Sequence, residues 1–139
     1  MRHSVAGYKL SRTKNERRRL LAGLARDLIV RGSIRTTLAK AKAVQPMVEK
    51  LVTLAKGGRT ASIKKVLSNW QTMRMLLSDA KTRFRQRTSG FTRIVKVGTR
   101  VGDNAPEVLL QFVDLRPEPK KEKVIDTKKL VAKSKKAKP

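Results

Sequence analysis

Basic side chains outnumber acidic ones by 35 to 10 across 139 residues, a net charge of +25, and any compact fold of this chain must tolerate that excess. Positive charges at this density repel one another when packed together, so the chain is suited to lie against a polyanion that cancels them. Nucleic acid is the first candidate. With 39% hydrophobic residues there is material for one modest core, which argues against a two-domain enzyme. The chain has no cysteine, and His3 is its sole histidine. Disulfide frameworks, thiolate zinc sites, cysteine nucleophiles and histidine metal sites are therefore excluded, and no cofactor is expected. The longest mostly apolar run, residues 20–25, is far short of the roughly 20 residues that span a bilayer. No signal-type apolar core follows the basic start. The expectation is a soluble, intracellular chain synthesised in the compartment where it works.

The charge is unevenly spread. Residues 1–100 carry 25 basic and 4 acidic side chains, residues 101–116 carry 1 and 3, and residues 117–139 carry 9 and 3. The middle block is acidic and alternates in hydropathy, as a strand facing protein would. The last block is polar, free of aromatics and low in complexity, which predicts disorder. Flanking lysines and missing caps argue against a stable helix on Val124, Ile125, Leu130 and Val131. Three regions follow: an extended arm over 1–12, an α+β domain over 13–116, and a disordered Lys-rich tail over 117–139.

Order begins at Thr13. Thr13-Lys-Asn-Glu16 fits a capping box, in which hydroxyl and carboxylate each take the other residue's backbone N–H. Leu20, Leu21, Leu24, Ala25 and Leu28 then form an apolar helical stripe, and Gly32 is placed to end the helix in a left-handed conformation. Arg17, Arg18, Arg19, Arg26 and Arg31 lie mostly off that stripe with one interspersed carboxylate, Asp27. A merely solvated face normally alternates its charges, so this one points to phosphate contact.

Residues 33–38 alternate as a short half-buried strand. A second helix is expected from about Ala39, with Val44, Val48, Leu51, Val52 and Ala55 as its stripe. Pro46 should either kink it or restart it. A third helical pattern from Thr60 uses Ile63, Val66, Leu67 and Trp70; a fourth uses Met73, Leu76, Leu77 and Ala80, with Ser68-Asn69 at the junction. Helical spacing assigns Trp70 and the methionines to the core, not to a ligand box. Phe84, inside the basic run Lys81–Arg87, reads as a buried anchor in preference to a base-stacking ring. Residues 91–97 and 107–115 are β-rich and should pair through an ordered, projecting loop over 98–106. The order helix, strand, three helices, two strands predicts a two-layer α+β domain with helices on one face of a small sheet.

Met1-Arg2-His3 with Gly7, Leu10 and Arg12 opens an ordered set of short motifs. It continues with Thr36-Thr37-Leu38 and Lys40-Ala41-Lys42, then Gly90-Phe91-Thr92-Arg93-Ile94, and ends with Gly102-Asp103-Asn104-Ala105-Pro106. Over roughly residues 1–115 this set resembles the bacterial-type large-subunit ribosomal proteins of the seventeenth family. Departures from the family pattern are Ser4 and Val5 where basic residues are usual, Ala39 in place of a common Pro, and Phe91 in place of a common Tyr. The resemblance implies a non-catalytic constituent of a cytoplasmic bacterial ribosome, near the polypeptide exit tunnel. Its partners would be large-subunit ribosomal RNA and neighbouring large-subunit proteins, with no membrane and no small-molecule substrate.

Folded RNA presents phosphates, 2′-hydroxyls and irregular loops, so its ligands need a cationic surface and a thin arm that enters crevices. Here Arg2, His3, Lys9, Arg12 and Lys14 would form the arm, and Arg17, Arg18 and Arg19 the first helix. Arg35, Thr36, Thr37, Lys40 and Lys42 would ring the strand-to-helix turn, where a helix N-terminus favours phosphate. Arg83, Arg85, Arg87, Thr92, Arg93 and Lys96 would make a third patch, with Arg100 on the projecting loop. Arginine predominates, as bidentate phosphate contacts favour. A DNA-binding protein is the competing reading, but the chain lacks a helix-turn-helix or a dimerising heptad pattern. An RNA-acting enzyme lacks a phosphate-binding Gly loop and paired carboxylates. A membrane-active peptide would not carry helical core spacing inside a domain.

Overall fold

The structure is a computed structural model, and it describes residues 7–114. The Arg2 and His3 end of the expected arm, the final residue of the strand expected to reach Leu115, and the expected Lys-rich tail lie outside the described residues. Seven elements follow in order: α1 (Lys14–Arg31), β1 (Ser33–Thr37), α2 (Leu38–Lys56), α3 (Thr60–Lys64), α4 (Trp70–Lys81), β2 (Thr92–Thr99) and β3 (Pro106–Phe112). This is the α+β order expected, with α3 cut to a single short turn of helix.

Both ends of α1 are closed by the residues that the sequence offers for the purpose. The Thr13 backbone N–H donates to Glu16 Oε2 at 3.0 Å, and the Glu16 N–H donates to Thr13 Oγ1 at 3.5 Å. The bond from the Thr13 backbone, then the one with its side chain, hold the Glu16 carboxyl below its usual range. Gly32 ends the helix at φ 80°, where a side chain would meet its own backbone, and its N–H donates to Leu28 O at 2.8 Å. The deeply buried face of α1 comprises Ala25, Leu28 and Ile29, while Leu20, Leu21 and Leu24 are only half-buried.

Helix α2 runs unbroken through Pro46. A proline removes the N–H that would bond to Lys42 O, but Lys42 and Pro46 are both exposed, so water can take the freed carbonyl. The opposite face buries Ala41, Val44, Val48, Leu51, Val52 and Ala55.

The sheet order is β1-β3-β2, antiparallel throughout. The β2–β3 hairpin thus inserts its second strand beside β1, and β3 is the only strand paired on both sides. Ile34, Ile94 and Leu110 align across all three strands, and Val108, Leu110 and Phe112 bury the helix-facing side of β3. The register of β2 slips between Lys96 and Gly98. Val97 is left over at this bulge and is exposed. Beyond it the hairpin is exposed through residue 104. Its tip is held by Arg100 Nε donating to Asp103 Oδ1 at 3.0 Å and by the Ala105 N–H donating to the same oxygen at 3.3 Å. Arg100, then the Ala105 amide, lowers Asp103 to about 2.

Phe84 is the aromatic centre of the core. Its ring centroid lies 5.4 Å from that of Phe91 and 5.2 Å from that of Phe112, which locks the segment after α4 onto the sheet. Trp70 does the opposite of what its spacing predicts, being 67% exposed. The helical phase of α3 ends at Lys64 and restarts at Trp70, with Asn69 Oδ1 capping the Gln71 N–H at 2.8 Å. The stripe Ile63, Val66, Leu67 therefore stops before it reaches Trp70.

One carboxylate ties α2 to the start of β2. Glu49 accepts from the backbone N–H of Phe91 at 3.1 Å, from that of Thr92 at 2.9 Å, and from the Thr92 hydroxyl at 2.6 Å. Glu49→Ala strands three partly buried donors. It is expected to lower stability by about 2–3 kcal/mol in urea unfolding, with Glu49→Gln recovering part of the loss.

Candidate nucleic-acid interface

Thirty-five basic residues cannot all be free for a partner, and the fold sorts them. Three predicted ligands from separate parts of the chain converge on one face. Lys9 precedes α1, Arg17 lies in its first turn, and Lys42 lies in the second turn of α2. All three line a cleft of about 400 Å³ together with Tyr8, Leu21 and Pro46. Arg12 turns back toward it, its N–H donating to Lys9 O at 3.3 Å through Leu10 and Ser11 at φ 57° and 50°. Lys14 is exposed at the start of α1.

Arg18 and Arg19 face a second cleft, of about 610 Å³, between α1 and the link from α3 to α4. Arg26 and Lys65 join them there. Arg18 Nη2 donates to Lys65 O at 3.3 Å and spans the two walls. Lys65 is not among the residues expected above; the Lys64-Lys65 pair in a short helical pattern does not reveal that the link folds back against α1.

Around the strand-to-helix turn the expected ring is looser. Thr36, Thr37 and Lys40 are half-buried, and Lys42 is exposed. Thr37 occupies the N-cap of α2 without a side-chain hydrogen bond to the helix. Arg35 sits on the far side of β1 from the helices, where its Nε donates to Glu107 Oε2 at 2.8 Å. It is a diagonal cross-strand tie, since Arg35 lies opposite Leu109 and Glu107 opposite Thr37, more than a free cation.

The third patch is where sequence and structure part most. Arg83 is buried, its side chain 3% exposed, and it donates to the Asp114 backbone carbonyl while lying 3.6 Å from Asp79 Oδ2. Its guanidinium stands 5.0 Å from the Phe84 centroid and 4.6 Å from that of Phe112. Arg83 is a core cation, not a surface ligand. Arg87 makes a two-pronged pair with Asp114, 3.0 Å on each branch. The Arg87 bonds hold the Asp114 carboxyl below its ordinary range, and the same contact raises Arg87. Thr92 is buried and bonded to Glu49, so it too faces the protein. Lys56, from α2, donates to the carbonyls of Arg85 and Arg87. These ties fix the segment 82–90 and leave Arg85 exposed at its crest. Arg93 and Lys96 are exposed on β2, and Arg100 is engaged by Asp103.

Arginine pairs equally well with phosphate and carboxylate, and in the fold Asp79, Asp103, Glu107 and Asp114 each take one of the arginines expected to face a partner. The two clefts keep cations that have no ion pair with a described residue: Lys9, Arg17 and Lys42 in one, Arg18, Arg19 and Lys65 in the other. Among the described residues no helix is long and apolar enough to cross a membrane.

Residues 20–113 match the family described as Ribosomal protein L17. Among curated relatives, the large ribosomal subunit protein bL17 of Hyphomonas neptunium is 44% identical over 117 residues, which cover 82% of this chain and 84% of the relative. That of Solibacter usitatus is 45% identical over 116 residues, 81% of this chain and 77% of the relative. That of Thermodesulfovibrio yellowstonii is 40% identical over 127 residues, 88% and 96% respectively.

Proposed function

The chain belongs to the ribosomal protein L17 family, and from that premise we propose that it is a structural constituent of the large ribosomal subunit. In this reading it binds and stabilises folded large-subunit ribosomal RNA without catalysis, beside neighbouring large-subunit proteins and near the polypeptide exit tunnel. That the relatives are large ribosomal subunit proteins supports the subunit. The observation that carries RNA as the ligand is the convergence of Lys9, Arg17 and Lys42 from three parts of the chain on one cleft, with no carboxylate among the described residues that line it. A cationic concavity of this kind suits the closely spaced phosphates of a folded RNA, whereas a flat charged face would serve any polyanion.

The test is direct competition. The full chain should bind deproteinised large-subunit RNA in preference to duplex DNA of equal phosphate content, and cosediment with large subunits. Arg17→Gln combined with Lys42→Gln should weaken RNA binding roughly tenfold and flatten the salt dependence by about two phosphate contacts, with no loss of thermal stability. Equal affinity for duplex DNA, or an unaltered salt slope in the double variant, would contradict the proposal.

A further inference from the structure

Gly23 stands near the middle of α1, ten residues after the N-cap and nine before the C-cap. A glycine weakens a helix interior relative to alanine, because it gives up more backbone freedom on folding. A glycine there can serve a close approach to the backbone or a strained backbone. Among the described residues neither is seen. A Cβ built on Gly23 would find none of their atoms within 4 Å outside its immediate surroundings in the helix, and its φ is not in the positive region.

What Gly23 does face is the cleft of about 610 Å³ between α1 and the α3–α4 link. The cleft has two kinds of wall. Ala22, Met47, Val66 and Leu67 supply apolar surface next to Gly23, while Arg18, Arg19, Arg26 and Lys65 supply cations. Two amides, Asn15 and Asn69, and two hydroxyl residues, Ser68 and Thr72, add neutral polar groups. No carboxylate among the described residues lines it; Asp27, beside Arg26 in sequence, pairs with that arginine at 3.3 Å. Asn69 spends its oxygen on the Gln71 N–H, which leaves its NH₂ able to donate.

We propose that this cleft receives one unpaired nucleotide of large-subunit ribosomal RNA. Its base lies against Gly23 and the apolar wall, and its phosphates lie on Arg18, Arg19 and Lys65. The volume suits a ligand of that size. An apolar slot beside cations matches a nucleotide, with a flat apolar face on one end and an anion on the other, better than it matches a duplex backbone. Unpaired bases are the parts of folded RNA that proteins can splay out and grip. The absent Cβ then serves the base, which needs the depth that any larger side chain would fill. This inference rests on the reading that the partner is ribosomal RNA, and it adds where one nucleotide is held.

Gly23→Leu would fill the slot from its floor while improving helix propensity. The full-length variant, mixed with deproteinised large-subunit RNA, is expected to melt no lower than the parent and to bind roughly tenfold more weakly. Chemical probing of the RNA should show one or two unpaired nucleotides protected by the parent chain and reactive again with Gly23→Leu, the rest of the footprint remaining. Arg19→Gln, an exposed change that leaves the helix intact, should expose the same nucleotides. Loss of those protections in both variants supports the cleft. Unaltered protections in both overturn it, as would a photocrosslinker at Ala22 that in intact large subunits labels protein and not RNA. A parent chain that leaves no footprint at all would instead overturn the underlying reading of RNA binding.

Discussion

Arg83→Ala is expected to destabilise the fold by about 3–5 kcal/mol, the loss typical when one partner of a buried ion pair is removed. Its guanidinium packs against both the Phe84 and Phe112 rings, beside Asp79, and is bonded to the Asp114 carbonyl. Alanine would leave the Asp79 carboxylate, only 10% exposed, without that cation, and would strip the facing side of both rings. Arg83→Lys should recover little, since an ammonium has neither the plane to pack against the rings nor the fork to reach two acceptors. Arg85→Ala removes the same charge from the same basic run at an exposed position, and should change stability by no more than about 0.5 kcal/mol. Equilibrium urea denaturation of the three variants separates a core cation from a surface one. Equal midpoints for Arg83→Ala and Arg85→Ala would contradict the structural assignment.

A second large effect is expected from salt. If the free cations of the two clefts, Arg85, Arg93 and Lys96 meet phosphates together with the arm, log affinity for large-subunit RNA should fall against log salt with a slope on the order of −6 to −10. Raising monovalent salt from about 50 to about 200 mM would then cost at least about a thousandfold in affinity. Filter binding or fluorescence titration across that range measures it. The structure refines which residues set the slope. Arg35, Arg87 and Arg100 already have carboxylate partners, and neutralising any one of them should move the slope less than neutralising Arg17 or Arg19. A nearly flat dependence would mean that the charge excess serves something other than phosphate.

The secondary structure was legible because its signals are local. Thr13 and Glu16 are three residues apart and close one capping box; Gly32 and Asn69 mark boundaries through their own backbone and side-chain preferences. The burial of Phe84 could also be expected, since a lone aromatic inside a basic run has no better place than the core. Trp70 could not be read this way. Its spacing from Ile63, Val66 and Leu67 is helical only if the helix continues, and the chain breaks that phase between Lys64 and Trp70. Pro46 left two outcomes open at the sequence level, and solvent exposure at Lys42 and Pro46 lets the continuous helix stand.

The candidate site divides along the same line. Composition pointed toward a polyanionic partner, because 35 basic side chains on one modest core have only ten carboxylates to pair with. Where those carboxylates land is a long-range matter. Glu107 meets Arg35 across 72 residues, Glu49 meets Thr92 across 43, and Asp114 meets Arg87 across 27. Such pairings depend on strand order and on helix packing, neither of which leaves a local trace in the chain. The number and sign of the charges were thus written in the amino-acid order. Which cations are used up inside the fold, and which are left to line the two clefts, followed from topology, because an ion pair is made by distance in space and not by distance along the chain.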